Sequence, residues 1–299
     1  MNIRSTLGSL VALLVFAGSP GRSDEPQGLD RVWEIHEGLD TPESAVYHAA
    51  TKSVFVSNIA GKPDDRDGNG WISQVDTSGR LLEAKWFVEL NAPKGMAVSG
   101  ELLWVSDIDR ILGISIKDRK ARYTFTVAGA KFLNDTTVDS HGNVYVSDMM
   151  DNKIYKIEHK LARYSPPVVY LAGEALLKNP NGLTFKDGNL IIGQWGEGIK
   201  GDFTTTAPGS LIEISNSDNS SVTELSPAVG NIDGVELWGT GFIYSDYIKG
   251  TVGYISLDGK NKVLLTNTPT AADIGISPQD KLIFVPVMNK NLLLAYKIR

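Results

Sequence analysis

Two sets of residues in this chain have ligand chemistry. The stretch "DRDGNGWISQVD", residues 65–76, matches the twelve-residue calcium loop of an EF-hand almost position by position. Asp65, Asp67 and Asn69 fall at early ligand positions, Gly70 at the sharp turn and Ser73 at the water-bridging position. Asp76 stands where a bidentate Glu is usual. The second set is scattered: Glu43, Lys94, Asn134, Asn181, Asp233 and Asp273 occupy equivalent places in six similar segments. Three carboxylates and two amides brought together suit one hard divalent cation, calcium ahead of magnesium, with zinc and manganese as further options. Without a cation, carboxylates so close must take up protons. Whether either set acts depends on the elements that hold it.

The six segments begin "PESAVYH", "PKGMAVS", "LNDTTVD", "PNGLTFK", "IDGVELW" and "ADIGISP". Aligned on their second residues, they recur at spacings of 51, 40, 47, 52 and 40 residues, the period of β-propeller blades. Runs such as "SVFVS", "LLWVS", "NVYVS" and "NLIIG" are β-branched or aromatic and bounded by turn residues. Most segments precede two further strand-like runs, and no window carries a helical period of useful length. These features predict an all-β fold, a six-bladed β-propeller with four strands per blade. The last repeat runs out after "LLLAYKI", and the run "RVWEIH", residues 31–36, supplies its missing fourth strand. Closure of this kind hides both open edges.

On such a ring the first strand of each blade lines the central channel, so the six anchors converge on one mouth. Any single anchor could equally be a turn residue satisfying backbone donors. Glu43 is not a favoured turn residue, which tilts the set toward ligand chemistry. The Ser-Asp pairs at 106–107, 147–148 and 245–246 end second strands and read as turn caps. The same map dismantles the EF-hand, which needs helices on both sides. Here "SVFVSN" precedes the loop and "WISQVD" is itself a strand. A helix-free second calcium loop and a solvated turn both stay open for residues 65–76. The longest loop, residues 193–209, carries Trp195, a flat surface for a lid or stacking platform if it is not a plain surface loop.

A net charge of −6 without any basic run argues against nucleic acid or an anionic membrane as the main partner, and the expected partner is a small-molecule substrate. Residues 1–23 read as a signal peptide: Arg4, an apolar run too short to span a bilayer, then small residues from Ala17. The expectation is an exported protein, periplasmic or secreted, with residues 24–299 as a single domain and no membrane anchor in its mature form. The chain has no Cys, so a lipoprotein anchor, disulfide, thiol nucleophile and thiolate metal site are all excluded.

With "PES", "LND", "PNGL" and "DG" in order at blade starts, the mature chain resembles the senescence-marker-protein/gluconolactonase (regucalcin-like) family of six-bladed propellers. The resemblance implies one divalent metal at the channel mouth, held by Glu43, Asn181 and Asp233, with Asn134 contacting substrate or water. It implies hydrolysis of a lactone or related cyclic ester, the metal polarising the carbonyl and Asp233 acting as base. No Ser-His pairing motif argues for an acyl-enzyme instead, and His36, His48, His141 and His159 fall away from the anchors. Two positions depart from the family pattern. Members that bind sugar lactones carry an Arg where this chain has Phe132, and Lys94 adds an ammonium to the ring. Lys94 either binds a substrate carboxylate or enolate, or forms a salt bridge to Glu43 or Asp273. Phe132 beside Lys94 argues against a plain polyol lactone. The other readings are a non-catalytic ligand-binding propeller with a structural metal and a condensation of the strictosidine-synthase type, because fold does not select function.

Overall fold

The structure, a computed structural model, describes residues 25–215 and 221–299. The stretch read as a signal peptide lies outside the described residues. Six four-stranded antiparallel sheets follow one another along the chain, forming the six blades of a β-propeller. Their innermost strands are Pro42–His48, Pro93–Ser99, Leu133–Val138, Pro180–Lys186, Ile232–Trp238 and Gly275–Ser277. The second strands are Ser53–Asn58, Leu102–Asp107, Val144–Asp148, Asn189–Gln194, Gly241–Asp246 and Leu282–Val287. Each of these is packed between two neighbouring blades and reads as a continuous apolar run rather than an alternating one. Side chains still alternate in direction: Val54 and Val56 pack toward Phe284 and Leu293 of blade 6, whereas Phe55 packs toward Leu103 and Val105 of blade 2.

The ring closes as the repeat count requires. Leu29–Ile35 pairs antiparallel with Leu292–Ile298, Leu29 standing opposite Ile298 and Ile35 opposite Leu293. The strand starts two residues earlier than the run 31–36 suggests, because pairing continues to the chain end, where Arg299 N–H donates to Gly28 O at 3.1 Å. Trp33 ties this strand inward, its ring 5.9 Å from Phe284 and its Nε1–H donating to Thr77 O of blade 1 at 2.9 Å.

One irregularity recurs and positions the site. The register of the inner strand slips between Pro42 and Ser44, Pro93 and Met96, Leu133 and Thr136, Pro180 and Leu183, and Ile232 and Val235. Each slip is a β-bulge that frees one anchor from the ladder: Glu43, Lys94, Asn134, Asn181 or Asp233. A bulge leaves N–H groups without strand partners, and in three blades a serine ending the second strand takes one. Ser57 Oγ accepts from Ser44 N at 2.9 Å, Ser147 Oγ from Asp135 N at 2.9 Å, and Ser245 Oγ from Gly234 N at 2.8 Å. The next carboxylate clasps the segment leading into the inner strand: Asp107 accepts from Asn91 and Ala92, and Asp148 from Lys131 and Phe132. In Ser147–Asp148 both members cap the bulge that aims the anchor, whereas Ser106 donates to the Asn134 carbonyl and Asp246 accepts from Lys249 N.

Blade 6 corrects one expectation. Ala271 bridges to Val287 just as Pro42 pairs with Asn58 and Ile232 with Asp246, so the anchor position there is Ala272. Asp273 stands one residue further along, in step with Ser44 and Asp135. A shift of one residue exchanges the faces of a strand, so Asp273 leaves the ring of anchors.

Candidate functional site

Five anchors, Glu43, Lys94, Asn134, Asn181 and Asp233, converge on one cavity of about 410 Å³ and are all buried. The rest of the wall is largely apolar and is itself a product of the repeat. The residue just after each second strand is Ile59, Ile108, Met149, Trp195, Tyr247 or Met288. Five of these line the cavity, and Ile108 packs beside Ile59. In five blades the backbone N–H of this residue donates to the carbonyl two positions before the anchor: Ile59 to Thr41, Met149 to Phe132, Trp195 to Asn179, Tyr247 to Asn231, Met288 to Thr270. One set of bonds therefore fixes polar anchors and apolar collar together. Pro63, Phe132 and Phe203 complete the wall.

Burial pushes the Glu43 carboxyl well above the usual range, with Asp233 and then Asp273 adding to the effect and Lys94 opposing it. Asp233 is pushed up in the same way, by burial and then by Asp273, against the hydrogen bond from Asn181. Lys94 is brought down to about 8 by burial, against the pull of Glu43, Asp107 and Asp64. Its Nζ donates to Pro63 O at 2.8 Å and Ala92 O at 3.0 Å and lies 4.5 Å from the centre of the Phe132 ring. Among the described residues Lys94 makes no ion pair, so the salt bridge to Glu43 or Asp273 does not form. Two of its three donors are spent on carbonyls, and the third is uncommitted.

The donor set can be tested for a cation. Asn181 Nδ2 donates to Asp233 Oδ1 at 2.8 Å, while Asn181 Oδ1 and Glu43 Oε2 are buried without a partner. Partnerless buried acceptors are costly, and both border the same cavity. Among the described residues no three His, Asp or Glu side chains are placed to hold a metal by themselves. A cation here would draw on the amide as well, and Glu43, Asn181 and Asp233 together offer an oxygen-only set that fits a hard ion. Asn134 Nδ2 has only the sulfur of Met149, at 3.4 Å, so its amide remains available.

Asp273 instead lines a second cavity along the channel with Asp135 and Glu236, two carboxyls that sequence reasoning passed over. Asp135 follows the anchor in "LND" and Glu236 lies further along its inner strand, positions invisible until the bulges set the register. Asp273 accepts from Ser44 Oγ at 2.5 Å, and burial pushes it up to about 7.

Trp195 is a buried wall residue rather than part of a loose loop. Residues 196–208 fold over as a small hairpin, Gly196–Glu197 paired with Ala207–Pro208, and Trp195 Nε1–H donates to Phe203 O at 2.9 Å. The EF-hand-like stretch breaks in two. Asp67 is taken up by Asn69 in a tight turn, and Asp76 sits at the far end of strand Gly70–Asp76, roughly 20 Å away, accepting from Ser78 and Arg80. Their carboxylates cannot meet on one ion. None of the four His lines the cavity.

No protein-family model matches the chain, and no curated protein sequence matches it. Solved structures do. A gluconolactonase from Xanthomonas campestris is similar at a TM-score of 0.65 and 15% identity, over 95% of this chain and 99% of that one. A streptogramin B lyase is similar at a TM-score of 0.61 and 14% identity, over 91% and 97%. A chain of a nidogen/laminin complex is similar at 0.60 and 16%, over 78% and 82%. At such identities the likeness is one of fold, and the chain is a six-bladed β-propeller.

Proposed function

We propose that this protein is an exported, divalent-cation-dependent hydrolase that opens a lactone or related cyclic ester. The observation that carries this reading is the pair of partnerless buried oxygens, Glu43 Oε2 and Asn181 Oδ1, beside Asp233 in an apolar-walled cavity. Burial and mutual repulsion push the two carboxyls toward the protonated form; a cation would favour their ionised form. Glu43, Asn181 and Asp233 would hold that cation, with calcium suiting the all-oxygen set. When bound, it polarises an ester carbonyl. The chain's own side chains do the rest. Asp233 accepts a proton from the attacking water. Asn134 and the uncommitted N–H of Lys94 hold substrate oxygens, and Trp195 supports its body. Water's oxygen bonds to the acyl carbon, the ring C–O bond breaks, and the ring oxygen takes the proton back from Asp233 and leaves as the hydroxyl of a hydroxy acid. The apolar collar keeps bulk water out, which strengthens each of these charge interactions. The likeness to a gluconolactonase supports the reading at the level of fold alone.

A panel of lactones, esters and phosphotriesters assayed with and without EDTA tests it. Turnover should vanish in chelator and return with calcium. A protein that binds calcium yet turns over nothing in the panel is a ligand-binding propeller instead.

A further inference from the structure

Resting on the hydrolase reading, we propose that the substrate is a cyclic ester with an aromatic or otherwise apolar body, and that Phe203 is a specificity-determining residue that holds it. Three observations converge on this. The first is the collar, which supplies one apolar residue from each of five blades around polar anchors confined to the inner strands. On the side of blades 3 to 5 it becomes a continuous aromatic wall. Phe132 lies 6.0 Å from Phe203, Phe203 6.5 Å from Trp195, and Trp195 5.5 Å from Tyr247, centre to centre. Flat apolar groups pack on such a wall in offset or edge-on arrangements.

The second observation is the backbone of Phe203. Its φ is +64°, a conformation that a bulky L residue rarely adopts and that persists only where its surroundings enforce it. They do: Phe203 N–H donates to Lys200 O at 2.9 Å, Lys200 N–H to Thr204 O at 2.8 Å, and Phe203 O accepts from Trp195. Glycine would fit this turn with less strain. An aromatic ring kept here, half-buried and facing the cavity, is placed for what the ring touches.

The third observation is a scarcity of donors. Trp195 Nε1 is spent on Phe203, Asn181 Nδ2 on Asp233, and two of the three Lys94 donors on carbonyls. Among the lining residues that leaves the Asn134 amide, one Lys94 N–H and the Tyr247 hydroxyl. A polyol would bring more hydroxyls into this cavity than these can serve, and hydroxyls stripped of water without partners are penalised. An apolar body makes no such demand and gains from leaving water.

The test compares a benzo-fused δ-lactone with a sugar δ-lactone, at saturating calcium. Binding of the two corresponding lactams, which resist hydrolysis, is measured in parallel by calorimetry. The wild type should favour the benzo-fused compound in both kcat/KM and Kd, by roughly 10–200-fold. Phe203→Gly removes the ring and relieves the positive-φ turn, and its melting curve is checked against the wild type. It should shrink that preference at least about tenfold, chiefly through KM and the lactam Kd. Preference for the sugar compounds, binding of neither lactam, or an unchanged preference in Phe203→Gly overturns the proposal. Selective binding of the benzo-fused lactam without turnover of any lactone supports the ligand class and defeats the hydrolase reading instead.

Discussion

Asn181 Nδ2 donates to Asp233 Oδ1 at 2.8 Å, a bond that turns the amide oxygen toward the cavity when Asp233 is ionised. With the nitrogen committed, the carbonyl oxygen has no partner and borders the space shared with Glu43. Two blades are thereby coupled at the channel mouth. The bulges that release these side chains from the ladder make the contact possible, since a regular strand would hold them in the pleat.

Cation binding is the first consequence. Glu43→Gln and Asp233→Asn keep shape and remove a ligand charge, so each should weaken calcium binding at least about tenfold by calorimetry. Asp65→Ala and Asp67→Ala should leave it unchanged. Binding that follows the 65–76 loop rather than Glu43 would put the ion elsewhere.

The base can be separated from the ligand. With calcium raised until Asp233→Asn is fully loaded, lactone turnover should still be down by ~10²–10⁴-fold. Recovery of the rate on loading would reduce Asp233 to a ligand.

Lys94 has a structural share that does not depend on any substrate. Lys94→Met leaves the carbonyls of Pro63 and Ala92 without their donor. Each loss should cost about 1–3 kcal/mol. Urea unfolding in chelator reads this directly, and an unchanged midpoint would mean that both carbonyls find other partners.

Deleting residues 24–36 removes the outer strand of blade 6 and the Trp33 bond to blade 1. The exposed edge of Leu292–Ile298 should then template aggregation and lower the melting temperature. A melting curve like that of the intact chain would speak against closure by this strand.

Channel carboxyls make stability depend on pH. Burial, then Asp273, pushes Glu236 up to about 8 from its ordinary 4.5, although part of its surface stays open to the channel cavity. Between those values the native state holds a proton that the unfolded chain has lost, so stability falls as pH rises. The contribution is full below about 4.5 and gone above about 8. Glu236→Gln stays neutral throughout. In chelator its melting temperature should decline less steeply across this window than that of the wild type, and equal slopes would remove Glu236 from the balance.

The blade count, the closing strand and five anchors were legible in the amino-acid sequence, because each blade repeats one strand pattern and the anchor stands at a fixed offset from it. Glu43 and Asp233 could be found without knowing where they meet. The repeat also held the apolar collar in plain view, one residue past each second strand, at Ile59, Met149, Trp195, Tyr247 and Met288. Apart from Trp195 it carries no signal in the sequence, because a single apolar residue after a turn has no chemistry until five of them face each other. In blade 6 the sequence pattern points one residue too far, to Asp273, since "ADIGIS" forms an inner strand of only three residues, Gly275–Ser277, with little pattern to align. Only the bridge from Ala271 to Val287 places Ala272 at the anchor and sends Asp273 down the channel. Side-chain pairing likewise belonged to the tertiary structure. Whether Lys94 meets Glu43 or two carbonyls depends on where the loop after Ser53–Asn58 brings the carbonyl of Pro63, a place that the strand repeat does not encode.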